Sequence, residues 1–425
     1  MILIIELFDR KLEVKIMYTS HFKMNEQEVI DYLKAKQLFF TAQENKLIAK
    51  EIGDGNMNYV YRVTDQGSGR SVIVKQADKY TRSSRKIGQK RNKIEFELLR
   101  FEAEKCPDMV PQIFHYDEIM TCIVMEDLKA YQNMRFALME EKSFPFFSQK
   151  IVEFIIKTIV STMDSFVGPM FKRKQVQKYT NVDACDITER LVLTNPYREK
   201  YAQAPIEEVN LPYLYNHFQM DQQLLLEAAK LKYKFKNETQ ALLHGDLHSG
   251  SIFINQTGMK IIDPEFACYA PIGYDIGNVI ANLFFAHIRS YVLNPGSEQS
   301  KYFRQWIENT VMGIITDFTK KFLLYFQENV TDAMEKSQDY RQWLLHLILE
   351  DTAGYAGLEI NRRIIGIAKV KDIESIQDKN QKALAERILL MLGRNLIVNR
   401  TQIKAAENYT AALAEACALA EREMK

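Results

Sequence analysis

Short runs of alternating apolar and polar residues dominate the first part of the chain, a pattern typical of β-strands. Turn residues at 65–69 separate two of these runs, as expected in an antiparallel sheet. One helix is predicted at 94–104, where Ile94, Leu98 and Phe101 recur at helical spacing. The predicted strands cover 46–52, 59–64, 71–76, 112–116 and 121–125.

Beyond residue 126 the spacing of apolar residues becomes helical. Two short strands, 251–254 and 260–262, are predicted inside this region, next to acidic residues and histidines. The pattern predicts an α+β chain: an extension of unclear role (1–16), a small antiparallel-β N-terminal lobe (17–125) and a large, mainly helical C-terminal lobe (126–425). The predicted helices cover 147–166, 221–233, 272–287, 301–328, 340–367, 380–392 and 402–423.

Composition excludes several classes of protein. Of the 425 residues, 47% are hydrophobic and 26% are charged, so the chain is not disordered. The net charge of +1 provides no overall field for nucleic acid or anionic lipid. No uncharged apolar run approaches the ~18 residues that span a bilayer. The five cysteines are scattered without metal-binding spacing, as in a reduced cytoplasmic protein. We expect a cytoplasmic location and neither a nucleic-acid nor a membrane partner.

A glycine-containing segment between the first two predicted strands is a candidate phosphate-binding loop. Gly53 and Gly55 would let backbone amides approach a phosphate without a Cβ in the way, together with the neighbouring Asn56. Asn58 stands where the third glycine of a G-x-G-x-x-G motif would be, so an ordinary hairpin turn is an alternative interpretation.

Lys75 ends an apolar run and strengthens this interpretation. A lysine at this position can neutralise phosphate oxygens of a nucleotide when a glutamate on the following helix holds it. Glu95 and Glu97 both qualify as that partner, and their spacing does not distinguish them.

The segment around residues 244–251 has the spacing of a kinase catalytic loop, followed by a metal-binding aspartate. Asp246 would accept the proton of an attacking hydroxyl, and Asp263 would bind the metal. Glu265 can join the metal shell, and Ser251 stands where protein kinases use asparagine. These carboxylate and hydroxyl oxygens are ligands that Mg²⁺ accepts.

Two histidines, His244 and His248, flank this aspartate. We interpret them as hydrogen-bonding groups that brace the loop. A metal-hydrolase site is the alternative, but His-x-Asp-x-His is not the helical His-Glu-x-x-His motif, and the glycines favour a loop.

These segments resemble the methylthioribose kinases, a family in the aminoglycoside-phosphotransferase branch of the bilobal protein-kinase-like fold. The resemblance extends from about residue 18 to about residue 399, and serine at 251 favours this family over choline and aminoglycoside kinases. Its segments are 53–60, 124–128, 185–189, 195–197, 244–252, 263–267, 273–277, 361–364 and 366–369.

The resemblance implies a transfer of the ATP γ-phosphate to the 1-hydroxyl of S-methyl-5-thioribose, a step of methionine salvage, with ATP in the cleft between the lobes. It implies that Asp246 is the base, that Asp263 and Glu265 hold Mg²⁺, and that Lys75 contacts phosphate. Backbone groups from Glu126 to Leu128 are implied as the adenine hinge. A homodimer is also implied.

Arg362 and Arg363 match the twin arginines of that family, implied to meet the substrate or the transferring phosphate. Without the motif, two arginines on a helix are ordinarily a solvated face or ion-pair donors. Other functions left open are a kinase for another sugar or amino alcohol, such as choline or an aminoglycoside, and a catalytically silent nucleotide-binding protein. The basic segment 79–93 is a solvated loop or a lid over the nucleotide.

Overall fold

The structure is a computed structural model, and it describes residues 18–41, 43–53, 57–80, 88–198 and 206–424. The described residues form two compact units, one ending at Ala130 and the other beginning at Tyr131. The first unit is built on an antiparallel sheet, and the second is mainly helical. The predicted α+β class, with a small β-rich part before a large helical part, is confirmed. The predicted extension 1–16 lies outside the described residues, as do residues 81–87 of the basic segment.

Five strands form the sheet of the first unit, and each end lies within one residue of its prediction. They are β1 (Leu47–Glu51), β2 (Asn58–Asp65), β3 (Ser71–Ala77), β4 (Ile113–Asp117) and β5 (Cys122–Glu126). Their order is β1-β2-β3-β5-β4, and all neighbours are antiparallel.

Two helices accompany this sheet, α1 (Glu26–Ala35) and α2 (Lys90–Lys105). The side chains of β3 alternate between two cores. Val72 and Val74 pack with buried residues of α1, whereas Ile73 packs with Phe96 of α2. Because alternate residues of a strand share a face, Lys75 points to the same side as Ile73.

The second unit contains most of the helices. Six predicted helices, from 221–233 to 402–423, are confirmed, with ends that differ by at most six residues. The helices are α3 (Met134–Met139), α4 (Phe147–Phe154), α5 (Pro169–Lys178), α6 (Val182–Leu191), α7 (Leu211–Leu214), α8 (Gln222–Asn237), α9 (Gly273–Leu293), α10 (Glu298–Asn329), α11 (Gln338–Ile365), α12 (Lys371–Glu374), α13 (Lys379–Val398) and α14 (Ala406–Glu423).

The prediction of one helix over 147–166 is wrong. The α-helix ends at Phe154 and is followed by a π-helical turn at Ile155–Ile159 and a 3₁₀ turn at Val160–Thr162. β-Branched residues are frequent in this stretch and fit an α-helix poorly. The hydroxyl of Thr158 also donates to the carbonyl oxygen of Phe154 (2.8 Å), which competes with regular helical bonding.

Helices α9 and α11 pack closely enough that only glycine fits at two positions of α9. A Cβ added to Gly273 would lie 2.5 Å from the backbone nitrogen of Thr352, and one on Gly277 would lie 2.6 Å from that of Ala356. This close packing fixes α9 against the helix that carries the twin arginines.

Two small sheets hold the candidate catalytic segments. One contains β6 (Gln132–Asn133), β8 (Ile252–Ile254) and β9 (Met259–Ile261), and the other pairs β7 (Ala241–Leu242) with β10 (Tyr269–Ala270). The strand predicted from 251 begins one residue later, because Ser249–Ser251 form a 3₁₀ turn. All five cysteines are free thiols. None of the helices in the described part of the chain is long and apolar enough to cross a lipid bilayer.

Candidate active site

The segment between β7 and β8 is held by a buried carboxylate from α9. Asp275 accepts hydrogen bonds from the backbone N–H groups of His244 (2.8 Å) and Gly245 (3.1 Å). Gly245 has a φ of +82°, and a Cβ there would lie 2.3 Å from the carbonyl oxygen of Phe266. Glycine is therefore required for this loop to approach the segment that follows β9.

The two histidines brace the loop, as the hydrogen-bonding interpretation predicts. His244 has Nε2 3.0 Å from the carbonyl oxygen of Ile262, and its Nδ1 accepts the backbone N–H of Asp246. His248 Nδ1 accepts the backbone N–H of Gly250 (3.0 Å). A ring nitrogen that accepts carries no proton, so the proton of neutral His248 is on Nε2, 3.5 Å from Asp246 Oδ2.

Asp246 combines partial exposure with opposing electrostatic influences. Its side chain is 29% exposed, so it is accessible to a substrate. Burial raises the pKa of Asp246, whereas the positive charges of Arg362 and Arg363 lower it. The structure therefore brings Asp246 under the influence of two arginines that lie more than a hundred positions further along the sequence.

The twin arginines are ion-pair donors rather than a solvated face. Arg362 and Arg363 both donate through Nε to Glu359, the latter over 2.9 Å, and both side chains are largely buried. Burial opposes the ionisation of Glu359, but the two guanidinium groups together lower its pKa to about 2. One carboxylate thus holds two cations beside the catalytic loop.

The candidate metal-binding segment follows β9 directly. Asp263 adopts a left-handed backbone conformation (φ +66°), and Glu265 is buried in the 3₁₀ turn that comes next. Asn181 donates to the carbonyl oxygen of Glu265 (2.8 Å). Ile262 donates its backbone N–H to the carbonyl oxygen of Ser251 (2.9 Å), which joins this segment to the catalytic loop.

The donor set of this segment fits magnesium. Within the described ranges, no three His, Cys, Asp or Glu side chains are grouped as a metal site. Mg²⁺ does not need such a cage in kinases, because one or two carboxylates and the substrate phosphates bind it. Asp263, Glu265 and the Ser251 hydroxyl supply only oxygen donors, as this ion requires.

In the first unit, the structure identifies the ion-pair partner of Lys75 on β3. Lys75 Nζ lies 2.6 Å from Glu95 Oε1, and the lysine is only 3% exposed. Of the two glutamates left open by the sequence, Glu95 is therefore the partner, and Glu97 is not.

The other residues of the predicted nucleotide site lie around the same sheet. Gly53 follows β1, and Asn58 begins β2, whereas Gly55 and Asn56 lie outside the described residues. Glu126 ends β5, and Leu128 is buried. Between them, Asp127 accepts two hydrogen bonds from Arg62 (2.8 and 2.9 Å) and one from the Ser71 hydroxyl (2.6 Å), which fixes this segment against β2 and β3.

Sequence reasoning missed Glu359 and Arg135, which both interact electrostatically with Asp246 in the structure. Glu359 had a usable signal, since a glutamate three and four positions before two arginines is placed for helical ion pairs. Arg135 had no such sequence signal, because it is a single arginine in a short helix.

Comparisons with known proteins identify the class. A family model described as "Phosphotransferase enzyme family" matches residues 48–294, more than half of the chain. The chain belongs to this class of phosphotransferases.

Within that class the chain belongs to the methylthioribose kinase family. It is 38% identical over 372 residues to the methylthioribose kinase of Geobacillus thermodenitrificans (strain NG80-2), an alignment that covers 85% of this chain and 90% of that protein. The methylthioribose kinase of Yersinia pseudotuberculosis serotype O:3 (strain YPIII) is 34% identical over 375 residues, covering 87% and 91%. A solved choline kinase from Cryptosporidium parvum Iowa II aligns with a TM-score of 0.45 and 13% identity over 98% of this chain and 97% of that chain. The family membership predicted from the motifs is confirmed.

Proposed function

We propose that this chain is an ATP-dependent kinase that phosphorylates the 1-hydroxyl of S-methyl-5-thioribose. Its relatives named methylthioribose kinase align over most of their length, at 33% to 39% identity. The observation that carries the proposal is the position of Asp246, which is accessible, held on a braced loop and close enough to the twin arginines for their charge to lower its pKa.

In the proposed reaction, Asp246 orients the attacking hydroxyl and accepts its proton. A bond forms between the sugar oxygen and the γ-phosphorus, and the bond to the leaving oxygen of ADP breaks. Arg362 and Arg363 stabilise the negative charge on the transferring group, because planar guanidinium groups match phosphate oxygens. Burial lowers the pKa of His248, so its imidazole is neutral and a weak base. Its Nδ1 accepts a backbone N–H and its Nε2 carries the proton, which leaves Asp246 as the proton acceptor.

Asp263 and Glu265, with the hydroxyl of Ser251, are the proposed ligands of Mg²⁺. When bound, this ion would neutralise negative charge on the phosphates. The left-handed backbone at Asp263 supports this role, because a strained conformation is ordinarily retained where function requires it.

Residues 17–125 are proposed to bind ATP, and residues 126–425 to supply the catalytic groups and the acceptor site. Lys75, held by Glu95, is proposed to contact the phosphates. The backbone from Gly53 to Asn58, including Gly55 and Asn56, is proposed to approach them. Glu126 and Leu128 are proposed to contact the adenine through their backbone groups. A cytoplasmic location and a homodimer are further parts of the proposal, testable by fractionation and by light scattering.

A panel of acceptors tests the proposed function. ADP release is measured with ATP and Mg²⁺ in the presence of methylthioribose, ribose, choline or an aminoglycoside. We expect methylthioribose to be the preferred acceptor. Preference for choline or the aminoglycoside would contradict the proposal and favour the amino-alcohol alternative. No ADP release with any acceptor would favour the catalytically silent alternative.

Asp246→Asn tests the role of the base. We expect turnover to fall about 10²–10⁴-fold, because the amide cannot accept the hydroxyl proton. ATP affinity, measured by calorimetry, should be retained, which separates loss of the base from loss of the fold. Normal turnover in this variant would rule out Asp246 as the base.

A further inference from the structure

A third arginine, Arg135, lies beside the catalytic loop. It is in the first turn of α3, and its backbone N–H donates to the side-chain oxygen of Asn133 (3.1 Å). The Asn133 amide in turn donates to the carbonyl oxygen of Gly250 (2.6 Å). The start of α3 is thereby hydrogen-bonded to the loop that carries Asp246.

The guanidinium of Arg135 lies against this loop because Gly250 has no side chain. A Cβ on Gly250 would lie 3.4 Å from Arg135 Cζ and 2.7 Å from His248 Cε1. The groups also influence one another electrostatically. Burial and, to a lesser extent, the charge of Arg135 lower the pKa of His248. Burial also lowers the pKa of Arg135, whereas the negative charge of Asp246 raises it.

Arg135 is less tightly paired than the twin arginines, which both donate to Glu359. Its Nη2 lies 3.3 Å from the side-chain oxygen of Asn282, and its Nε lies 3.5 Å from Asp372 Oδ2. Among the described residues, Arg135 Nε and both carboxylate oxygens of Asp372 have no hydrogen-bond partner. The Arg135 side chain is 15% exposed, whereas that of Asp372 is 2% exposed. The unpartnered Nε is itself buried and directed toward Asp372, the counter-charge of Arg135, so the access to a ligand comes from the exposed remainder of the side chain.

Charged side chains cluster around Asp246. Three guanidinium groups and three carboxylates influence one another electrostatically in this cluster, and the Asp275 carboxyl adds a further group beside Asp246. A guanidinium close to the acceptor favours neutral or negatively polarised oxygen atoms there and disfavours a cation. The six residues are Arg135, Arg362, Arg363, Asp246, Glu359 and Asp372.

We propose that Arg135 is an acceptor-binding residue that selects a neutral sugar over a cationic amino alcohol. Its guanidinium donates to an oxygen of the sugar near the reacting hydroxyl, and Asp372 is the positioning residue that holds it there. This inference rests on the proposed function, since it concerns the acceptor of that same reaction.

Arg135→Met removes the donor while keeping most of the side-chain volume. We expect the KM and the calorimetric Kd for methylthioribose to rise about 10- to 100-fold, the range for loss of a charged hydrogen bond. The KM for ATP should change by less than about two-fold on the same reasoning, because Arg135 is assigned to the acceptor. Arg135→Lys should restore part of the affinity, and Asp372→Asn should weaken it in the same direction.

Arg289→Met is the matched control. Arg289 also contacts Asp372, but through the backbone carbonyl (3.0 Å), and it bonds the Ser375 hydroxyl (2.8 Å). Removing the Arg289 guanidinium tests whether the loss of any arginine bound to this segment lowers the affinity for the acceptor. We expect acceptor affinity to be unchanged in this variant.

Acceptor affinity equal to that of the wild type in Arg135→Met would overturn the inference, as would an equal loss in Arg289→Met. If Arg135→Met does not fold, Arg135→Lys and Asp372→Asn are measured instead. Wild-type affinity for methylthioribose in both of these variants would overturn the inference. A wild-type chain that prefers another neutral sugar contradicts the proposed function alone, and the Arg135 measurement is then made with that sugar. Preference for a cationic acceptor overturns both.

Discussion

Asp275 holds the start of the loop 244–251, which carries Asp246. It is fully buried and accepts two backbone hydrogen bonds from the start of that loop. Burial raises its pKa from 3.8 to about 7, although these backbone N–H groups favour the ionised form. A single buried carboxyl thereby couples the loop that presents Asp246 to the pH of the solution.

This pKa predicts how stability depends on pH. Between 3.8 and about 7 the folded chain keeps a proton on Asp275 that the unfolded chain releases. The contribution of this group to the free energy of unfolding is therefore greatest at low pH and is lost as the pH rises through about 7. From pH 5 to pH 8 the loss is about 3 kcal/mol, because the ~1.4 kcal/mol per pH unit accrues only over the two units below about pH 7.

Asp275→Asn removes this titration while keeping the side-chain shape. We expect its free energy of unfolding in urea to fall less than that of the wild type between pH 5 and pH 8, by about the same 3 kcal/mol. An identical pH dependence in the two proteins would show that Asp275 keeps one protonation state throughout this range.

Single residues also show what the sequence can and cannot predict. The placement of Lys75 on a strand was predictable because it ends an apolar run, and the loop that carries Asp246 was predictable from its spacing. The choice between Glu95 and Glu97 was not, since both lie on one turn of α2 and only the packed helix orients one toward β3. Arg135 was not predictable either, because its neighbours come from distant parts of the chain.

The contact between α9 and α11 determines where the twin arginines lie relative to the catalytic loop. α9 carries Asp275, and α11 carries Glu359 and both arginines. Gly277 allows the two helices to approach, since a Cβ there would meet backbone atoms of α11 rather than a flexible side chain.

Gly277→Ala should therefore destabilise the protein. Overpacking costs about 1–3 kcal/mol, which outweighs the gain of about 1 kcal/mol from replacing glycine in a helix. Thermal unfolding measures this loss. Gly313→Ala on α10 is the control, because an added Cβ there would lie 3.1 Å from Ser148 Cβ and Oγ and would meet no backbone atom, so a shift of a few tenths of an ångström relieves the contact. Equal stability of Gly277→Ala and the wild type would contradict the close contact.

At the level of elements, prediction succeeded where one face of an element is apolar. The five strands and the six later helices have clear periodicity and are confirmed. Helices α5 and α6 were missed because they are short and mainly polar, with apolar residues such as Phe171 and Val182 exposed to solvent. The break after Phe154 was missed because apolar periodicity continues through it while the backbone changes from α- to π-helical.

For the whole molecule, the order of elements was predictable because the change from strand to helix periodicity is sharp. Its chemistry was recognisable because the reacting groups lie in short continuous segments. The cluster around Arg135 was not predictable, since Arg135, Glu359 and Asp372 come from three separate helices. Spacing along the sequence carries no information about such a cluster.

The transfer itself is tested most directly by ³¹P NMR of the product. The purified chain is incubated with ATP, Mg²⁺ and S-methyl-5-thioribose, and the new phosphorus signal is assigned by its coupling to the sugar protons. We expect one phosphomonoester at the 1-oxygen, formed in equal amount to ADP. Inorganic phosphate in place of a sugar phosphate, or a phosphate on another hydroxyl, would contradict the proposed function.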